Sequence, residues 1–145
     1  MTYLPALFEN WFAAKGWNLH PHQQQLLDQA DTPATLLIAP TGGGKTLAGF
    51  LPTLIELAGN EHKGMHTLYV SPLKALAADI KRNLQTPVNE MGLNIRIEDR
   101  TGDTSQTQRK RQRADPPHIL LTTPESLALL LSYEDAAHIF AGIKR

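Results

Sequence analysis

At 145 residues the chain is long enough to bury one core and too short for a multidomain enzyme. Lys+Arg and Asp+Glu each number 14, so the formal net charge is zero and no overall field draws the chain toward nucleic acid or an anionic membrane; any basic surface must be local. Cysteine is absent, which removes disulfides and thiolate metal sites, and the six histidines are scattered, with His20 and His22 at a spacing that separates them on a helix.

Taken in chain order, residues 1–34 form an N-terminal helical segment containing an expected helix over His22–Gln29, and residues 35–145 form the main unit. There the pattern predicts a strand at Thr35–Ala39, then a helix over Thr46–Ala58 in which Pro52 removes one hydrogen bond and introduces a kink. Asn60–Gly64 is a surface connection. Strand Thr67–Val70, helix Leu73–Met91 and strand Asn94–Ile97 follow; Thr101–Pro117 is the most polar stretch; strand Ile119–Leu121 and helix Pro124–Ser132 complete the reading. Strands spaced by helical crossovers imply an α/β fold with a parallel, doubly wound sheet, whose ligands sit at the carboxyl ends of the strands. Apolar runs such as Leu127–Leu131 are too short to cross a bilayer, and the N-terminus carries no charged-then-apolar signal, so no membrane partner and a cytoplasmic location are expected.

The segment Ala39-Pro40-Thr41-Gly42-Gly43-Gly44-Lys45-Thr46 lies between strand and helix, and it reads as a phosphate-binding loop. Glycines let backbone N–H groups converge on phosphate oxygens, and the helix that follows offers unpaired donors and the positive end of its dipole. Thr41 to Gly44 would cradle the phosphates. Lys45 would reach the β- and γ-phosphates, and the Thr46 hydroxyl would hold Mg²⁺. Ala39 stands where the strict pattern has its first glycine.

Two later strand ends carry distinctive polar sequences, Ser71-Pro72-Leu73-Lys74-Ala75-Leu76 and Thr122-Thr123-Pro124-Glu125. Each is also an ordinary helix start, with Ser71 or Thr123 as N-cap, proline at the first helical position and Glu125 in the first turn. Exposed N–H groups and hydroxyls at two such starts in one sheet could equally track a nucleic-acid backbone. Lys74 sits at a strand end and is the better-placed cation, whereas Arg109-Lys110-Arg111 with Arg113 reads mainly as a solvated helix face, since no aromatic platform is interleaved.

The order of phosphate loop, Ser-Pro-Leu-Lys-Ala-Leu, Thr101-Gly102-Asp103 and Thr-Thr-Pro-Glu resembles the first RecA-like domain of superfamily 2 helicases. More narrowly, it resembles the Lhr-type and ligase-associated DExH-box DNA helicases, through Trp11-Phe12, Gly16-Trp17, Pro21-His22-Gln23 and His66–Leu76. That resemblance implies a P-loop RecA-like domain that binds ATP and Mg²⁺ within an ATP-dependent 3′–5′ helicase. Its expected partner is single-stranded DNA or a DNA-containing duplex, RNA is compatible, and DNA repair partners such as a ligase follow from the resemblance alone. Ser71 to Leu76, including Pro72 and Lys74, Thr101 to Asp103, including Gly102, and Thr122 to Glu125 would be the strand-contacting segments. Gln23 matches the family's adenine-reading glutamine, whose amide offers a donor and an acceptor together. Trp17 is placed either to stack on the base or simply to pack.

Hydrolysis also needs an acidic residue to hold Mg²⁺ and a carboxylate to orient water. Glu98-Asp99 is a poor candidate, because Arg96 interrupts the apolar run expected of a buried central strand. The resemblance leads from Arg145 into an Asp-Glu-x-His strand and a second RecA-like domain, so the expectation is a truncated, catalytically silent part of a helicase. A small P-loop kinase, or a non-catalytic nucleotide- or single-strand-binding module, also fits the phosphate loop.

Overall fold

The computed structural model describes residues 2–39 and 44–145. Its helices are α1 (Ala6–Lys15), α2 (Pro21–Asp28), α3 (Lys45–Gly59), α4 (Lys74–Glu90), α5 (Gln106–Ala114), α6 (Pro124–Ser132) and α7 (Ala136–Ile139). Strands β1 (Thr67–Val70), β2 (Ile97–Arg100) and β3 (Ile119–Thr122) pair in parallel in the order β1-β3-β2. Ile119 stands level with Thr67 on one side and Ile97 on the other. The fold is the expected α/β arrangement with a parallel sheet.

Alternation along β3 builds the layers. Ile119 and Leu121 face one core with Phe50, Leu51 and Leu54 of α3, Ile80, Leu84 and Val88 of α4, and Phe8, Trp11 and Phe12 of α1. Leu120 faces the other, with Met65, Leu130 of α6 and Ile139 of α7. A central parallel strand covered on both faces must be apolar throughout, and all four β3 residues are buried. The N-terminal segment shares the larger core, since α1 and Leu27 of α2 pack into it. Helix α3 continues through Pro52 to Gly59.

Three expectations are corrected. Thr35–Ala39 is not a strand: Leu36 and Ile38 are 84% and 85% exposed. A strand needs a bonded neighbour, and among the described residues the outer edge of β1 meets the chain's last residues instead, through Lys144 and Arg145 N–H to His66 O and Leu68 N–H to Arg145 O. The second strand runs over Ile97–Arg100 rather than Asn94–Ile97. As the edge member of the sheet it tolerates polar residues, and Glu98 and Arg100 are matched by Arg111 and Gln112 of α5. Helix α4 starts at Lys74 with extended Leu73 as its N-cap, so Ser71 does not cap it and Pro72 precedes the helix.

Candidate nucleotide and nucleic-acid site

Pro40, Thr41, Gly42 and Gly43 lie outside the described residues, so of the expected phosphate loop the structure describes Ala39 and Gly44 to Thr46. Gly44 is the N-cap of α3 at φ 73°, and a Cβ there would stand 2.7 Å from Gln23 Nε2. The left-handed backbone is what favours glycine here, and a side chain would also press on the Gln23 amide. Lys45 and Thr46 occupy the first turn of α3 with exposed side chains, and Lys45 Nζ donates to Ala39 O at 2.8 Å.

Gln23 is buried. Its Oε1 accepts from His20 N–H at 2.8 Å in a capping box, and its Nε2 donates to Gly44 O at 3.3 Å. The amide thus couples the start of α2 to the start of α3, leaving one N–H and one lone pair for a ligand. His20 and His22 are not separated as a helix would separate them. His20 precedes α2, and the two rings stack at 5.4 Å and 11°.

Beside these residues lies a cavity of about 490 Å³, lined by Trp17, His20, Gln23, Gly44, Thr46 and Leu47, with Asn83, Thr86 and Pro87 of α4 on another wall. Trp17 is 51% exposed and meets Trp11 edge-on, with ring centroids 5.5 Å apart. The apolar lining and few polar groups suit a flat heterocycle. The contribution of α4 had no sequence signal, because Asn83 and Thr86 are polar residues in an otherwise ordinary amphipathic helix.

The three strand-end segments converge at the carboxyl edge of the sheet. Ser71 N–H donates to Thr122 O at 3.0 Å, Thr122 Oγ1 donates to Arg100 O at 2.7 Å, and Asp103 N–H donates to Thr101 Oγ1 at 3.2 Å. Pro72, Lys74, Gly102, Thr123, Glu125 and Leu129 line one groove of about 420 Å³. Thr123 caps α6, accepting from Ser126 N–H at 3.4 Å, with Pro124 at the first helical position. Ser71 and Thr122 are buried and reinforce the sheet, whereas Gly102, Lys74 and Glu125 are exposed. Lys74 pairs with Asp103 at 3.3 Å, both well exposed, so the pair is weak and separable.

The face of α5 that carries Lys110 and Arg111 is exposed, as expected, but its three arginines are also bonded within the fold. Arg111 holds Glu98 through both nitrogens, at 3.0 and 3.2 Å; Arg113 holds Asp135 and lies 3.8 Å from the centre of the Tyr133 ring; Arg109 donates to Thr101 O at 2.7 Å. Arg100, 1% exposed, donates to Arg109 O and Gln112 Oε1, and burial pulls its guanidinium below its ordinary value against the opposing influence of Tyr133. A dense basic run looks solvent-facing in sequence when the carboxylates of its arginines lie 13 and 22 residues away. The same network engages Glu98, and Asp99 pairs with Lys81 at 3.2 Å, so both carboxylates are committed to the scaffold.

At the opposite end of the sheet a polar chain runs from Thr53 through Thr67 and His66 to Glu56, with contacts of 2.9, 2.8 and 2.8 Å, and Glu56 also meets Arg145. Burial lowers His66 although Glu56 opposes it. His118 Nδ1 accepts from Arg96 N–H at 2.9 Å and its Nε2 lies 3.2 Å from His62 O, so its neutral form fits the site; burial lowers it as well.

Residues 20–144 match the DEAD/DEAH box helicase family. The chain is 40% identical to the ATP-dependent helicase Lhr-Core of Methanocaldococcus jannaschii over 94% of its own length and 18% of that protein, and 36% identical to the Lhr helicase/uracil glycosylase of Escherichia coli over 99% and 12%. It thus spans less than a fifth of these relatives. Among solved structures, Mycobacterium smegmatis helicase Lhr bound to ssDNA and AMP-PNP superposes with a TM-score of 0.88 at 39% identity, covering 97% of this chain and 19% of that one. The DUF1998 helicase MrfA bound to DNA and AMPPNP gives 0.83 at 29% identity, covering 97% and 20%. No described helix is long and apolar enough to cross a membrane.

Proposed function

The chain belongs to the DEAD/DEAH box helicase family, and from that premise we propose that it forms the ATP-binding and strand-contacting part of the first RecA-like domain of a 3′–5′ DNA helicase. The observation that carries this reading is the coexistence of two separate sites in one small α/β unit. One is the Gly44–Thr46 helix start beside the aromatic cavity, and the other is the groove where Pro72, Lys74, Gly102, Thr123 and Glu125 meet. A helicase protein 39% identical to this chain was solved with a nucleotide analogue and single-stranded DNA together.

In this reading the triphosphate lies over the N-terminus of α3, where unpaired N–H groups and the helix dipole favour anions. Thr41, Gly42 and Gly43 complete the cradle, Lys45 leaves Ala39 O for the terminal phosphates, and the base enters the cavity between Trp17 and Gln23. Thr46 is exposed at the helix start and its hydroxyl suits Mg²⁺, which supplies charge neutralisation to the phosphates. Gln23 transmits occupancy, because the same amide that reads the base holds the Gly44 carbonyl.

Single-stranded DNA is the proposed strand, held through backbone contacts at Ser71, Pro72 and Lys74, at Thr101 and Gly102, and from Thr122 to Glu125, with little sequence preference. A cytoplasmic site of action accords with such a substrate. The test is nucleotide selectivity: the parent should prefer ATP to GTP, and Gln23→Ala should erase the preference while keeping most of the phosphate-derived affinity. Equal affinity for ATP and GTP in the parent would overturn the base-reading assignment.

A further inference from the structure

A half-exposed tryptophan serves as a platform for a base only if its plane is fixed. Trp17 has its backbone fixed, by N–H donation to Phe12 O at 2.9 Å just after the left-handed Gly16, and its ring rests edge-on against Trp11. What holds Trp11 comes from the other side of the cavity. Its Nε1–H donates to Glu90 Oε2 at 2.6 Å, and the second carboxylate oxygen, Oε1, accepts from Lys15 Nζ at 2.8 Å. Glu90 closes α4, whose preceding turn supplies Thr86 and Pro87 to the cavity, while Trp11 and Lys15 stand one turn apart on α1. One carboxylate therefore bridges two helices that line the cavity.

We propose that Glu90 is a positioning residue for the nucleotide base, acting through Trp11 on the plane of Trp17 and through Lys15 on the mouth of the cavity. The proposal rests on the reading that this cavity receives the base. Satisfying a buried indole N–H needs only one acceptor oxygen; here the second oxygen holds a cation that also lines the cavity, with Lys15 Nζ 6.0 Å from the centre of the Trp11 ring. The bonds from Lys15 and Trp11 hold the Glu90 carboxyl below its ordinary range, so it is an ionised acceptor at neutral pH.

Calorimetric titration with ATP and with inorganic tripolyphosphate separates base from phosphate binding, and it is run on the parent protein, Glu90→Ala and Glu90→Gln. Glu90→Ala should weaken ATP about 5- to 10-fold, a part of the value of one base–aromatic stack, and leave tripolyphosphate within about twofold. Glu90→Gln, whose carbonyl still accepts the indole N–H, should keep ATP within about threefold of the parent. Trp11→Phe, which keeps an aromatic side chain but loses the indole N–H, should reproduce the selective loss if Glu90→Ala fails to fold. Unchanged ATP affinity in Glu90→Ala and Trp11→Phe, or an equal loss of both ligands, would overturn the proposal. A parent that binds ATP no better than tripolyphosphate would overturn the base-cavity reading beneath it.

Discussion

Lys45→Ala separates phosphate binding from folding more cleanly than any other single change. Its side chain is exposed on the first turn of α3, and its hydrogen bond goes to the backbone oxygen of Ala39. Removing it should cost no more than about 0.5 kcal/mol of stability, the usual range for surface substitutions. Nucleotide binding should suffer far more, because a charge-assisted hydrogen bond to phosphate is worth about 1.5–3 kcal/mol. At 1.4 kcal/mol per factor of ten, that is about a 10- to 150-fold weaker affinity. The loss should be nearly the same for ATP and tripolyphosphate, since Lys45 touches no base. Titration of both ligands, with thermal unfolding as a control, measures the two effects separately. Equal affinity in parent and variant would refute the assignment, and so would a loss confined to ATP.

Glu98→Ala should lower stability by about 1–3 kcal/mol, because it strands Arg111 and Gln112, with the upper range reduced by the exposure of Arg111; nucleotide affinity, measured alongside denaturant unfolding, should not change. Single-strand binding should weaken with salt along a shallow slope, about −0.7 to −1.4 in log–log form for one or two phosphates neutralised. The reason is that Arg109, Arg111 and Arg113 are engaged within the fold; a steep slope abolished by neutralising them would contradict this. Stability should fall as pH drops from 7.5 to 5.5. His66 and His118 are both depressed below 6.5, so the unfolded chain takes up protons first and the stabilisation, full above that value, drains away below it. Thermal unfolding across this window should show the decline, and a flat profile would refute the assignment of neutral, buried imidazoles.

Much of this was legible because local rules and tertiary needs agreed. The run Ile119–Leu121 had to be a buried central strand, and Thr123-Pro124-Glu125 had to begin a helix, since cap, proline and first-turn acid act within a few residues. Where partners are distant, the reading failed. The apolar pattern placed this strand at Asn94–Ile97, yet it runs on through Glu98 and Arg100, because α5 supplies their complements from the next element. Leu36 and Ile38 looked like a buried strand, but a strand is a paired object, and Thr35–Ala39 has no ladder among the described residues. Ser71 has the chemistry of a cap and instead accepts from Leu73 N–H at 3.4 Å, because Leu73 stays extended. For the candidate site, glycines and hydroxyls marked the phosphate loop and strand ends, while the α4 wall and Glu90 carry no local signature at all.

The most direct test of a two-site helicase unit is an NMR titration of the isotopically labelled chain, first with AMP-PNP and Mg²⁺ and then with a single-stranded oligonucleotide. Nucleotide should shift Trp17, Gln23 and Gly44 to Leu47. The oligonucleotide should shift a second, separate set from Ser71 to Lys74, Thr101 to Thr104 and Thr122 to Ser126. Nucleotide shifts absent from Gly44 to Leu47, or strand shifts confined to α5, would contradict the account.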